Sequence, residues 1–170
     1  MNLDLGSIAS TLLGSSSLTG IADSTGASKN DITQVLSSAL PLLLQGAGKQ
    51  STGKTTAEAF AQALEQHAGN STSSLSSFFK NVDLEDGAKI VSHLLGSSTN
   101  STASEISKKT GLDAKQVATI LAAAAPLIMS LLGQKTAQAK KEDKTSTTQD
   151  LAKALIGSVD VNSLLKGLLK

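Results

Sequence analysis

Residues 21–48 and 106–133 are two versions of one stretch, aligned at a constant offset of 85 without a gap. Ile21, Thr25, Gly26, Leu36, Ala39, Pro41, Leu42 and Gly48 meet identical residues: Ile106, Thr110, Gly111, Leu121, Ala124, Pro126, Leu127 and Gly133. Ile32 meets Val117, Val35 meets Ile120 and Leu43 meets Ile128, so these mismatches keep their apolar character. The repetition extends backwards. Asn2-Leu3-Asp4-Leu5, followed by Ile8 and Leu12-Leu13-Gly14-Ser15-Ser16, returns as Asn81-Val82-Asp83-Leu84, followed by Ile90 and Leu94-Leu95-Gly96-Ser97-Ser98. Such a pattern restricts the chain to folds assembled from two copies of one unit.

Within each copy the apolar residues fall at helical spacing. Ile32, Val35, Leu36, Ala39, Leu40, Leu43 and Ala47 follow the i, i+3, i+4, i+7 pattern of a buried face. So do Val117, Ile120, Leu121, Ala124, Ala125, Ile128 and Leu132. Leu42, Leu44, Leu127 and Met129 widen the stripe toward all-round burial. Pro41 and Pro126 lie inside the two helices and predict a matching kink, each at a cost of about 3 kcal/mol that packing must offset. Ser28 before Asp31, and Asp113 before Gln116, predict capping boxes; Ala27 with Ile32, and Leu112 with Val117, predict hydrophobic staples. Short helices over 21–25 and 104–110 lead into the Thr-Gly turns, and Gly14 and Gly96 are expected as left-handed caps of the helices before them.

The remaining segments read as alternating helix and linker. Residues 46–55, rich in Gly, Lys, Ser and Thr, predict a linker, and 56–67 a helix with Ala57, Phe60, Ala61 and Leu64 on one face. Leu75, Phe78, Phe79 and Val82 predict a short helix after the loop at 69–74. Residues 134–149 are polar and predict a mobile linker. Residues 151–155 echo 60–64, and Val161, Leu164, Leu165, Leu168 and Leu169 predict a last amphipathic helix. Aromatic residues make up only 2% of the chain, with no Trp or Tyr, so a core of Leu, Ile, Val and Ala is expected, which favours helices over a β-sandwich. The expected fold is therefore all-α: about ten helices in a single domain, 1–170, made of two similar units, 1–80 and 81–170.

Three signatures together resemble the bacterial YidB-like proteins, domain of unknown function nine hundred and thirty-seven. They are the Thr-Gly turn leading to an Ala-Leu-Pro-Leu-Leu helix over 25–43, Asp86-Gly87-Ala88-Lys89-Ile90 running into His93-Leu94-Leu95-Gly96, and Lys109-Thr110-Gly111-Leu112 running into Ala124-Ala125-Pro126-Leu127. The similarity covers about residues 1–135. The resemblance implies an all-helical fold and supplies no activity and no catalytic residues to carry over.

Several segments carry the outline of a chemistry. Gly48-Lys49-Gln50-Ser51-Thr52-Gly53-Lys54-Thr55 has the spacing of a phosphate-binding loop, whose amides, Lys and Thr would cradle phosphates and Mg²⁺. That chemistry requires a preceding strand, whereas residues 40–45 belong to the repeated helix, so a polar linker is expected. Residues 21–35 and 106–120 have helix-turn-helix spacing. Base reading favours Arg, Asn and Gln on the second helix. All 15 basic residues are Lys, and the net charge is only +1. Tight helical corners are the expected reading. His67 and His93 have no partner at metal-ligand spacing. Asp83, Glu85 and Asp86 precede a helix, where acids complement the dipole.

No catalytic, cofactor-binding or metal-binding residue is assigned, and neither a cofactor nor a small-molecule substrate is expected. There is no Cys and no basic cluster before an apolar run at the N-terminus. The apolar run at 117–132 is shorter than the ~20 residues of a membrane span. The Asn-Ser-Thr triplets at 70–72 and 100–102 read as polar loops. The functional expectation is a non-enzymatic, cytoplasmic interaction or structural protein with a protein partner or self-association. DNA binding through the two corners and nucleotide binding through 48–55 are the competing readings.

Overall fold

The computed structural model describes residues 5–148 and 150. It is all-helical: α1 Leu5–Leu12, α2 Ser15–Thr25, α3 Lys29–Thr52, α4 Ala57–Ala68, α5 Leu75–Lys80, α6 Leu84–Leu95, a 3-10 turn Gly96–Ser98, α7 Thr99–Thr110 and α8 Ala114–Glu142. No strand occurs among the described residues. The helices expected at 151–155 and 161–169 lie outside them.

Two corners organise the path. α2 ends at Gly26 (φ 74°, ψ 4°) and α7 at Gly111 (φ 76°, ψ 4°), both in the left-handed region that glycine enters without a Cβ penalty. Each threonine before the glycine is bonded in the same way. Thr25 Oγ1 donates to the Ile21 carbonyl at 2.7 Å and accepts from the Ala27 amide at 3.3 Å. Thr110 Oγ1 donates to the Ile106 carbonyl at 2.8 Å and accepts from the Leu112 amide at 3.3 Å. The next helices start on caps: Ser28 accepts from the Asp31 amide and Asp113 from the Lys115 amide. Asp113 thus caps the amide one position earlier than the capping-box spacing predicts. Gly14 is not a left-handed cap; it is extended (φ −67°, ψ 151°) because α2 begins at the next residue. Gly96 has a positive φ of 57°, but its ψ of −131° lies outside the left-handed helical region.

α8 is the axis of the molecule. It touches α1, α2, α3, α4, α6 and α7. Residues 120–130 are buried without interruption, which the run Ala122-Ala123-Ala124-Ala125 permits by letting neighbours approach from several sides. By length and composition α8 would also suit a bilayer, longer than the apolar run alone indicates. However, 78% of its most apolar window is buried inside the protein.

Glycines set the close crossings onto this axis. A Cβ on Gly87 of α6 would run into the carbonyl oxygen of Ala122 in α8. One on Gly133 of α8 would meet the Leu64 carbonyl of α4, and one on Gly46 of α3 the Leu94 carbonyl of α6. Backbone therefore lies directly on backbone at three helix contacts. Pro126 has no amide to donate to its i−4 carbonyl, which is that of Ala122. Gly87 thus places α6 against the carbonyl that proline leaves without its helical donor.

Both long helices outrun their expected ends. α3 continues through the presumed linker to Thr52, and α8 passes Gln134 to reach Glu142. Packing explains the excess: Gly46, Ala47 and Ser51 are buried in α3, and Thr136 and Ala139 in α8. Asp143 follows α8 and accepts from the Thr145 hydroxyl at 2.6 Å, the Ser146 hydroxyl at 2.7 Å and the Thr145 amide at 3.1 Å. The Thr145 and Ser146 hydroxyl bonds hold its carboxyl down to about 2.

Two outcomes follow. Gly87→Ala should destabilise the protein by about 2–3 kcal/mol or more, although alanine is the better helix former. Gly69→Ala, where a Cβ meets nothing closer than 3.6 Å, should stay within about 0.5 kcal/mol of the parent. Urea unfolding followed by far-ultraviolet circular dichroism measures both; a Gly87→Ala protein as stable as its parent would contradict the crossing. The second outcome concerns Asp143. A depressed carboxyl contributes stability that is fully present above the ordinary value of 3.8 and is lost as pH falls from there through about 2. A carboxyl-detected NMR titration should place its midpoint well below the ordinary value of 3.8, and Thr145→Val with Ser146→Ala should raise it.

Candidate functional site

A polar-rimmed cavity lies where α3, α4, α6 and α8 meet. Its apolar lining includes Phe60, Ile90, Leu94 and Met129, all buried core residues, and its volume is about 300 Å³. Ala63 on α4 forms part of the wall. Gln50, Thr55, Thr56, His67 and His93 complete the lining. Two histidines 26 positions apart in the chain, isolated by sequence spacing, therefore border one cavity.

Two of the polar residues are spent on shaping the rim. Gln50 Nε2 donates to the His93 carbonyl at 2.8 Å, tying the end of α3 to the last turn of α6. Thr56 Oγ1 donates to the Gln50 carbonyl at 2.9 Å and closes the turn between α3 and α4.

His67 is fixed from the other side. Ser130 Oγ donates to the Pro126 carbonyl at 2.8 Å, so its single proton is used there. It must then accept from Asn70 Nδ2, which lies 3.3 Å away. The same Asn70 NH₂ lies 3.3 Å from His67 Nδ1. A donor at that point requires Nδ1 to accept, so the neutral ring carries its proton on Nε2. The loop is pinned further by Gln134 Nε2, which donates to the Asn70 carbonyl at 2.8 Å, and by Thr72 Oγ1, which donates to Gln134 Oε1 at 3.1 Å. These cross-links hold His67 by way of α8, and the sequence offered no spacing signal for them.

His67 also borders a second groove with Asn81, Asp83, Asp86 and Pro126. Asp83 caps α6 there, accepting from the Glu85 amide at 2.9 Å and the Asp86 amide at 3.2 Å. Glu85 points to Lys89 at 3.5 Å, an exposed pair one turn apart that contributes little. Among the described residues no group of three or more His, Cys, Asp or Glu side chains is placed to hold a metal.

The phosphate-loop lookalike takes a different geometry. Residues 48–52 are the last turns of α3, with a helix before them in place of a strand, so their amides face along a helix and cannot wrap a phosphate. Ser51 Oγ and Thr52 Oγ1 bond back to the Gly48 carbonyl at 2.8 and 3.0 Å. Gly53 is extended and its amide donates to the Lys49 carbonyl. At the two corners the second helices expose Lys29, Asn30 and Gln34 in one case and Ala114, Lys115 and Ala118 in the other. The second helix of the second corner thus offers a single long polar side chain, Lys115, among its exposed positions up to residue 120.

The chain belongs to the family described as bacterial protein of unknown function, DUF937, whose model matches residues 9–135. The match runs from the second half of α1 to Lys135 in α8, and so includes every lining residue named for the cavity. Neither the curated proteins nor the solved structures contain a significant match.

Because the 48–55 segment ends a helix, calorimetric titration of Mg-ATP or Mg-GTP into the protein should give no saturable heat. Lys54→Ala should behave identically. Saturable binding that is lost in Lys54→Ala would contradict the helical reading of this segment.

Proposed function

We propose that this chain is a non-enzymatic, cytoplasmic protein that works by association, with copies of itself as the simplest partner, and that it is built from two related units, 1–80 and 81–170. The duplication is supported by the paired corners, in which Thr25-Gly26 and Thr110-Gly111 repeat one dihedral pair and one hydrogen-bond pattern. The order of elements supports it too: a first helix, a helix ending at Thr-Gly, then a long proline-containing helix in each half.

The observation that carries the association reading is a surplus. α8 already has helical neighbours in α1, α2, α3, α4, α6 and α7. The sequence nevertheless supplies a further amphipathic stretch with Val161, Leu164, Leu165, Leu168 and Leu169. Burying such a stripe against a neighbouring chain is driven by the removal of apolar area from water. Contact between unlike units of successive chains would be heterologous, closing into a ring or propagating as a filament according to its rotation.

Light scattering should show concentration-dependent association of the full chain, and a chain ending at Asp150 should be monomeric while still folded and helical by circular dichroism. A full chain that stays monomeric at high concentration would contradict association through this stretch.

A further inference from the structure

We propose that the cavity between α3, α4, α6 and α8 is a binding site for a small carboxylate bearing an apolar chain or ring, held rather than turned over. The inference rests on the balance of spent and unspent groups around it and is independent of self-association. The floor of Phe60, Ile90, Leu94 and Met129 offers only apolar surface. A volume of about 300 Å³ is at the lower end of the range for small-molecule sites, which suits a ligand of modest size.

The rim supplies the specificity. Thr56 has used its single hydroxyl proton on a backbone carbonyl, and Gln50 has committed one of its two amide hydrogens to another. His67 has used Nδ1 on Asn70, which leaves Nε2–H as the ring's donor. The His93 ring and the Thr55 hydroxyl make no hydrogen bond among the described residues, and both line the cavity. Two imidazoles and a hydroxyl thus remain able to donate, and among the described residues no Asp or Glu lines the cavity to compete with an incoming anion. Such a rim above an apolar floor matches a ligand with an acceptor head and an apolar body. A carboxylate fits it best, since an anionic acceptor strengthens every one of these hydrogen bonds. Residues 50 and 55, which belong to the phosphate-loop lookalike at 48–55, serve here with Thr56 as part of the wall of an apolar cavity.

The chain carries its own reporters. Met129 is one of only two methionines, the other being Met1, and His67 and His93 are the only histidines. Octanoate is the probe, titrated into the full chain and followed by the Met129 methyl and the two imidazole Cε1–H signals. Octanol and octylammonium, with the same chain and different heads, are titrated in parallel. Saturable shifts at Met129 and both histidines are expected with octanoate, at least about tenfold tighter than with either comparison compound. Ala63→Leu, which fills the wall, should weaken octanoate by about tenfold or more. His93→Leu with Thr55→Val, both at exposed positions, should weaken octanoate by about tenfold and leave octanol unchanged, which decides the matter should Ala63→Leu not fold. The proposal is overturned if octanoate produces no saturable shift at Met129, if octanol or octylammonium binds as tightly, or if octanoate binds the folded variants as it binds the parent.

Discussion

The contact between Gly87 and the Ala122 carbonyl is the constraint on which the rest of the arrangement depends. Pro126 withdraws the donor that Ala122 would have had inside α8, and α6 arrives at that point with a residue that has no side chain. Helix backbones meeting this closely also allow weak Cα–H to carbonyl contacts, a recurring feature of tight helix crossings. Once α6 is set on α8, Gly46 brings α3 onto the end of α6, and Gly133 brings α4 onto α8. The cavity at the junction of these four helices follows from this order of contacts. Its walls are held apart by backbone spacing, and its lining is what those helices present there.

An axis as apolar as α8 must also account for its polar groups. Ser130 and Thr136 are completely or almost completely buried. Each returns its hydroxyl to the carbonyl one turn earlier, Pro126 at 2.8 Å and Leu132 at 2.9 Å. Among the described residues no buried side-chain nitrogen or oxygen lacks a partner. Ser130 does more than satisfy itself, because its oxygen accepts from Asn70 and so links the proline turn to the orientation of His67. One hydroxyl thereby connects the core helix to the rim of the cavity.

Much of this was legible in the residues. The 3.6-residue pattern marked the buried faces of α3 and α8, the Thr-Gly pairs marked the corners, and Ala57, Phe60, Ala61 and Leu64 marked the buried side of α4. The helix ends were not legible. Residues 46–52 and 134–142 have the composition of linkers, yet Gly46 is required for close approach to α6, and Ser51, Thr136 and Ala139 are buried. Local propensity lost to tertiary packing in both places. The cavity was invisible for a similar reason. His67 and His93 sit on different helices, and only the crossing of α4, α6 and α8 brings them to one rim.

The central claim is that α8 is the core helix of a folded protein body, locked by backbone contact with α6. Native-state hydrogen exchange of the backbone amides tests it most directly. The account predicts that amides from Leu121 to Leu132, apart from the missing one at Pro126, exchange slowest, and only through global unfolding, with Ile90 and Val91 of α6 close behind. Exchange in the middle of α8 as rapid as in the short helix α5, or slowest protection located in another part of the molecule, would contradict it.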